Sequence, residues 1–392
     1  MKGEYLMKKI FRNIHLWLSV PFGLIITLTC FSGAMLVFED EITQHANREL
    51  YYVEKVGKKT IPMQELADSI STRLTDGITI TGITVYPNPQ RTYQVNLSKP
   101  RRAAIYVDPY TGEVKGQSQR LPFFRTMFSL HRWLLDNRPT GDGIFWGKII
   151  VGTSTLMFVF VLLSGVVIWW PHNRKGLKKR LKISMHKGLS RFWYDLHVAG
   201  GIYALIVILA MALTGLTWSF EWYRNAFYSA FGVEMKANPR DKNISSEEKT
   251  RTEKGKDKLP MQQRTHGKES DFLYWQPIYD RLAKENPDNR QITISNGEAQ
   301  VSNNRLGNIR GTDHYSFDPQ SGEITGVSRY KNAEKAGKIR GWIYSVHVGS
   351  WGGTTTRILW FLISLLGASL PLTGYYLWIK RLYRKKEKRI VH

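Results

Sequence analysis

Two segments of this 392-residue chain repeat each other and place a histidine at the same position in each copy. Residues 13–39 read NIHLWLSVPFGLIITLTCFSGAMLVFE, and residues 195–221 read DLHVAGGIYALIVILAMALTGLTWSFE. At a single offset of 182 residues, with no gap, the positions that agree include His15 with His197, Gly33 with Gly215, Phe38 with Phe220 and Glu39 with Glu221. Such matches in one register predict a duplicated unit with a histidine at the same depth of each apolar segment.

A second pair of histidines follows the same repeat. His131 lies in FFRTMFSLHRWLLD, and His347 lies in GWIYSVHVGSWGG at the corresponding place before the last apolar run. The first segment predicts a helix on or in the outer membrane surface, with one face at i, i+3, i+4, i+7 spacing made of Phe124, Met127, Phe128, His131, Leu134 and Leu135. Taken alone, His131 or His347 is more typical of a residue at the membrane interface than of a metal ligand. Because the repeat pairs them, we favour the interpretation that they are ligands.

Paired imidazoles at membrane depth suggest a particular chemistry. Ionisable residues inside membrane segments are rare and usually functional, although a histidine there can also snorkel to headgroups or bond a backbone carbonyl. A zinc site would need four ligands, and no Cys, Asp or Glu ligand is expected near either pair at membrane depth. Haem iron needs only two axial nitrogen ligands from the protein, because the porphyrin supplies the other four. The pattern therefore predicts two b-type haems, held by two histidines on the inner side and two on the outer side.

The elements that must position these histidines are four long apolar runs, at residues 14–38, 147–170, 198–220 and 357–379. Each exceeds the roughly 17 residues needed to cross a hydrocarbon core. We interpret the first as a retained span, because it is longer than a signal-peptide core and no small-x-small cleavage site follows it. The single cysteine, Cys30, excludes an internal disulfide, and the absence of CxxCH excludes that form of covalent haem attachment.

The net charge of +24 is concentrated beside these spans rather than spread over a nucleic-acid surface. Lysine and arginine fill three short segments, before span one, between spans two and three, and after span four. Short basic flanks mark the cytoplasmic side. We therefore expect a multi-pass protein of the bacterial inner (cytoplasmic) membrane with both termini in the cytoplasm, membrane lipid as a partner and no nucleic acid.

The two long connections between spans have the pattern of small α+β domains. Helical patterns at 62–74 and 273–286 precede strands at 79–87, 91–98, 102–117, 292–296, 298–304 and 313–329. The turns DPYTGEV and DPQSGEI match each other. Residues 238–271 are charged and poor in apolar residues, so we predict a mobile insertion there.

The fold class expected is thus an α+β membrane protein, a four-helix bundle from a duplicated unit with two small extracytoplasmic domains. The predicted boundaries are 1–40 for the N-terminus and first span, 41–120 for domain one, 121–171 for the interfacial helix and second span, 172–194 for a basic cytoplasmic loop, 195–222 for the third span, 223–340 for domain two with its insertion, and 341–392 for the interfacial segment, fourth span and basic tail.

Three motifs resemble one known family. HLWLS at 15–19, YDLHVAGG at 194–201 and the two DPxxGE strands are similar to the PepSY-associated transmembrane proteins, often called iron-regulated membrane proteins, which include siderophore reductases. The resemblance implies two periplasmic PepSY domains, reduction of siderophore-bound Fe(III), and haem ligands at His15, His131, His197 and His347. Two departures are Ser19, where HxWxG would place glycine, and the insertion at 238–271.

The function expected from this reasoning is a haem-dependent ferric-siderophore reductase of the membrane. No GxGxxG between a strand and a helix and no GxxxxGK[ST] occurs, so the electrons should come from the quinol pool or a cytoplasmic reductase. Two alternatives stay open: a membrane-anchored PepSY module that binds or regulates a protease or peptide, and an accessory subunit for siderophore or iron uptake.

Overall fold

The structure, a computed structural model, describes residues 2–100, 103–139, 143–171, 174–234, 272–303 and 306–390. The predicted insertion at 238–271 lies outside these residues. In chain order the helices are α1 (Lys2–Leu36), α2 (Glu39–Ala46), α3 (Arg48–Tyr51), α4 (Met63–Ser71), α5 (Pro122–Trp133), α6 (Trp146–Trp169), α7 (Arg174–Arg180), α8 (Leu189–Asp195), α9 (Gly201–Ser219), α10 (Glu221–Ala230), α11 (Trp275–Glu285), α12 (Lys335–His347) and α13 (Gly353–Ile390). The strands are β1 (Ile80–Val85), β2 (Tyr93–Leu97), β3 (Ala104–Val107), β4 (Val114–Gln117), β5 (Asn289–Ser295), β6 (Glu298–Asn303), β7 (Thr312–Phe317) and β8 (Ile324–Ser328).

Four stretches of helix within the described residues are long and apolar enough to cross a membrane. They are Leu6–Leu36, Trp146–Trp169, Leu189–Ser219 and Ser350–Tyr383. The third is continuous through α8 and α9, which a π-helical turn at Leu196–Gly200 joins. The protein is therefore a multi-pass α+β membrane protein, as the four apolar runs predicted.

The four spans pack as a bundle in which α1 and α9 do not touch closely but each packs against both α6 and α13. Two hydrogen bonds hold α1 to α13: the Tyr375 hydroxyl donates to the Val20 carbonyl at 2.6 Å, and the Thr27 hydroxyl donates to the Ala368 carbonyl at 3.1 Å. The middle of the bundle is an apolar cluster of buried side chains, Ile26, Phe158, Val161, Leu162, Ala204, Ile208 and Leu370.

All eight strands form a single antiparallel sheet in the order β4-β3-β2-β1-β5-β6-β7-β8. The sequence analysis assigned these strands to two separate small domains, whereas the structure joins the two sets of four at β1 and β5. Across this seam Ile83 pairs with Ile294, and the Thr84 and Thr293 hydroxyls lie 2.8 Å apart. Helices α4 and α11 pack against the middle of the sheet. The side chains of both halves therefore bury one shared apolar core.

The two predicted hairpin turns have the same geometry. Asp108 accepts a hydrogen bond from the Tyr110 amide at 2.8 Å, and Asp318 accepts one from the Gln320 amide at 2.9 Å. The glycines that follow, at 112 and 322, have φ of +72° and +68°, which L side chains rarely adopt. Each turn connects the last two strands of its half.

One detail of the predicted interfacial helix was wrong. Helix α5 ends at Trp133, and Leu134 and Leu135 have positive φ values of 51° and 65°. Their amides turn back to bond the carbonyls of Leu130 and Ser129, which closes the helix. The two leucines therefore do not continue the face that carries His131.

Gly82 allows the seam between the two halves to close. A Cβ at this position would lie 2.7 Å from the backbone oxygen of Ile294, which cannot move without breaking strand pairing. We expect Gly82→Ala to destabilise the sheet by about 1–3 kcal/mol, the usual cost of overpacking. Thermal unfolding of the purified full-length chain measures this. Gly326→Ala in β8 is the matched control, since its Cβ would meet Ser316 at an ordinary 3.7 Å; equal melting of the two variants would contradict the seam's role.

Candidate functional site

The four predicted histidines lie in two pairs, one at each end of the bundle. We call His15 with His197 the tail-side pair, because it lies toward the chain ends, and His131 with His347 the sheet-side pair. The ring centroids are 6.3 Å apart in the tail-side pair and 6.0 Å apart in the sheet-side pair. All four rings are half-buried.

The tail-side pair bridges two helices that lie across the bundle from each other. His15 is on α1, and His197 is in the π-helical turn that begins at Leu196. A π turn inserts one residue into the helical repeat and changes the direction of the side chains around it, and such turns are frequent at functional sites. The two ring planes meet at 88°.

The sheet-side pair comes from the two short helices that precede spans two and four. His131 is in the last turn of α5, which packs on α1, and His347 is the last residue of α12, which packs on α9. Their ring planes meet at 57°. The Trp218 ring meets His347 edge to face, with 5.0 Å between centroids.

Each imidazole is oriented in the same way, through Nδ1 and a backbone carbonyl of the neighbouring span. The distances from Nδ1 to the carbonyl oxygen are 3.0 Å for His15 and Val161, 2.9 Å for His131 and Thr29, 3.1 Å for His197 and Leu370, and 3.0 Å for His347 and Met211. A carbonyl only accepts, so Nδ1 carries the proton and donates. Nε2 of all four rings is left with a free lone pair, the arrangement typical of metal-ligating histidines.

Burial keeps the sheet-side rings neutral. It lowers the pKa of His131 and of His347 by more than their carbonyl hydrogen bonds raise it. Neutral imidazole is the form that binds a metal, so these two side chains are ready to coordinate at pH 7.

A glycine four residues after each accepting carbonyl makes room for the ring. A Cβ would lie 2.8 Å from His131 at Gly33 and 3.1 Å from His347 at Gly215. At Gly374 it would lie 3.4 Å from His197, and at Gly165 3.5 Å from His15.

A hydroxyl residue precedes each of these glycines, and three of the four hydroxyls reach the histidine. The distances to Nδ1 are 3.1 Å from Ser164 to His15, 3.2 Å from Thr214 to His347, and 3.0 Å from Thr373 to His197. The fourth, Ser32, instead donates to the carbonyl of Leu28 at 2.6 Å.

The sequence reasoning missed this supporting set. Its signal is a Ser-Gly or Thr-Gly dipeptide in each apolar run, at 32–33, 164–165, 214–215 and 373–374. Among other glycines of the spans, Gly23 faces Tyr375 and Gly200 faces Leu366 rather than a histidine.

The tail-side pair opens into a cavity of about 350 Å³ between the spans. Its wall is largely apolar, with cationic side chains supplied by Arg12, Arg180 and Arg381. Trp169 also lines this cavity, and its buried Nε1–H has no hydrogen-bond partner among the described residues.

The sheet-side pair borders a larger cavity, about 830 Å³, between the bundle and the sheet. Four cationic side chains in its wall form no salt bridge within the described part of the chain: Arg132, Lys148, Arg290 and Arg310. The hydroxyl of Ser154, a residue 1% exposed in the same wall, also has no partner there. Trp360, also in this wall, is buried and donates to the Val346 carbonyl at 2.7 Å.

Two ion pairs fix the rim of this cavity. Arg120 binds Glu39 through two hydrogen bonds, and Arg357 binds Glu41 in the same bidentate way. Burial raises the pKa of Glu41, but the hydrogen bonds from Arg357, a backbone hydrogen bond and the positive charges of Arg357 and Arg290 together lower that pKa overall. These pairs hold α2 against the start of α13 and against the segment before α5.

The donor set fits a haem at each pair. The two imidazole centroids of each pair are 6.3 and 6.0 Å apart, a separation at which both rings could bind one metal ion. Three or more His, Cys, Asp or Glu side chains gathered into a metal site occur nowhere in the described residues. Two imidazoles therefore suit a group that brings its remaining ligands with it.

Comparison with known proteins agrees with the motifs. No curated protein matches this chain. The model of the family described as PepSY-associated TM region matches residues 12–381, a stretch that contains all four histidines and both cavities. Since this match covers nearly the whole sequence, the chain belongs to the PepSY-associated TM region family.

Proposed function

We propose that this protein is an inner-membrane oxidoreductase with two b-type haems, which passes electrons across the membrane to a ferric siderophore or other ferric chelate in the periplasm. The observation that carries this proposal is the pair of histidine pairs, 6.3 and 6.0 Å between rings, with Nδ1 of every ring bonded to a carbonyl. Family membership supports the membrane architecture, and the haem assignment depends on the histidines.

His15 with His197 would hold one haem, and His131 with His347 the other. When bound, haem supplies one-electron redox chemistry, and the protein supplies ligands, orientation and a low-polarity surrounding. The carbonyls of the neighbouring spans keep the imidazoles oriented. Cationic side chains suit the haem carboxylates by charge: Arg12, Arg180 and Arg381 on the tail side, and Arg132 and Lys148 on the sheet side.

The direction of electron flow follows from the charge distribution. The basic segments lie at the tail side, next to the smaller cavity, and basic flanks favour the cytoplasm. The tail-side pair would then receive electrons from quinol or a cytoplasmic reductase. The sheet-side cavity would open to the periplasm, where Arg290 and Arg310 add positive charge next to the sheet-side pair.

The proposal is tested with protein purified from haem-replete cells. We expect two haems per chain, a Soret band that shifts on reduction with dithionite, and a return of the oxidised spectrum when a ferric siderophore is added without oxygen. Colourless protein would contradict the proposal and favour a PepSY scaffold for a protease or peptide. Uptake of labelled iron into vesicles without any electron donor would favour an uptake accessory subunit.

A further inference from the structure

The two cavities approach each other at a thin apolar layer. Two residues line both of them, Ile26 on α1 and Phe158 on α6. Both side chains are buried, 4% and 7% exposed. We call these two residues the septum.

The septum lies in an apolar part of the bundle. Ile26 and Phe158 belong to the buried cluster at the middle of the bundle, whose other members are Val161, Leu162, Ala204, Ile208 and Leu370. Hydroxyls on α6 lie to either side, Ser154 and Thr155 about one turn toward the sheet-side cavity and Ser164 next to the tail-side pair. A narrow apolar space of this kind stays dry, because water there lacks hydrogen-bond partners.

Each cavity, by contrast, can hold water. Arginine side chains line both, and each has a buried polar atom without a partner among the described residues, Trp169 Nε1 on the tail side and Ser154 Oγ on the sheet side. If water continued from one cavity into the other, a file of hydrogen-bonded molecules would join the two faces of the membrane. Such a file conducts protons.

We propose that Ile26 and Phe158 form a seal that stops water and protons from passing between the two cavities. The inference goes beyond the proposed function, because it concerns proton permeability and holds whichever redox partner the protein uses. Besides packing in the bundle, the two side chains would close the wall that the cavities share within the described residues.

The test compares two double variants in vesicles. The full-length chain is reconstituted in proteoliposomes with valinomycin, potassium and an internal pH-sensitive dye, and the passive proton flux is measured after a pH jump. We expect Ile26→Ala with Phe158→Ala to raise the flux severalfold over the unchanged protein. The matched control is Phe22→Ala with Ile363→Ala, the same two truncations at residues that pack on the same cluster but line neither cavity.

The control variant should leave the flux unchanged. A septum variant that folds, as shown by its helical circular dichroism, and yet conducts protons no faster than the unchanged protein would overturn the inference, and so would an equal rise in the control. If the double variant does not reconstitute, Ile26→Ala against Ile363→Ala gives the same comparison with a smaller rise. Haem content is measured in parallel, so failure of the haem proposal and failure of the seal are read separately.

Discussion

We expect the replacement of His15 by alanine to remove about half of the bound haem, and the replacement of His131 by alanine to do the same. In the proposed sites each of these side chains would supply one of the two axial nitrogens, and the two histidine pairs share no residue. The double variant His15→Ala with His131→Ala should therefore be nearly colourless. Haem per chain, measured as the pyridine complex after purification, checks all three proteins.

Histidines outside the pairs provide the controls. His186 near the tail side and His314 on β7 are both exposed, and their replacement by alanine should leave haem content unchanged. A single variant that loses all haem would mean that the two sites fill together. One that loses none would remove the assigned histidine from the ligand set.

Adding one methyl group beside a histidine should disturb one haem without touching a ligand. The Cβ of Gly33→Ala would lie 2.8 Å from the His131 ring, closer than real Cβ atoms approach other atoms, so the ring must shift away from its carbonyl. Loss of a supporting contact of this kind typically weakens metal binding about 10–100-fold. We expect sheet-side haem to be lost or to change its low-spin signal in electron paramagnetic resonance, while tail-side haem is kept.

The same substitution at the other three supporting glycines should give a graded series. The Cβ distances predict a smaller effect at Gly215 (3.1 Å) and the smallest effects at Gly374 (3.4 Å) and Gly165 (3.5 Å). Gly201→Ala is the control within α9, because its Cβ would meet Leu370 only at 4.0 Å. Equal haem spectra for Gly33→Ala and Gly201→Ala would show that the glycine does not position the ring.

The sequence indicated which histidines to consider, but not how the bundle arranges them. The shared register of His15 and His197 was visible because a duplicated segment preserves spacing along the chain. The pairing of the histidines was not visible in the sequence, since it depends on α1 and α9 lying across the bundle from each other. Local periodicity does not indicate the order of helices in a bundle. The Ser-Gly and Thr-Gly dipeptides were missed because small residues are common in membrane helices for packing reasons alone.

The sheet was also predicted only in part from the sequence. Alternating patterns located the strands, and the DPxxGE turns located the final hairpin of each half. The seam between β1 and β5 joins residues more than two hundred positions apart, such as Thr84 and Thr293. Nothing in either segment alone indicates that the two halves complete one sheet, because the pairing depends on the bundle bringing both halves to the same side.

The proposed dry layer at Ile26 and Phe158 would also have an electrical consequence. An electron that crosses it without an accompanying ion displaces one negative charge through part of the membrane field, which is worth about 2.3 kcal/mol per 100 mV for a full crossing. With the sheet facing a positive exterior, the resting voltage of an energised cell would draw electrons toward His131 and His347. Respiring cells would then reduce an external chelate more readily than cells whose voltage has been collapsed by an ionophore.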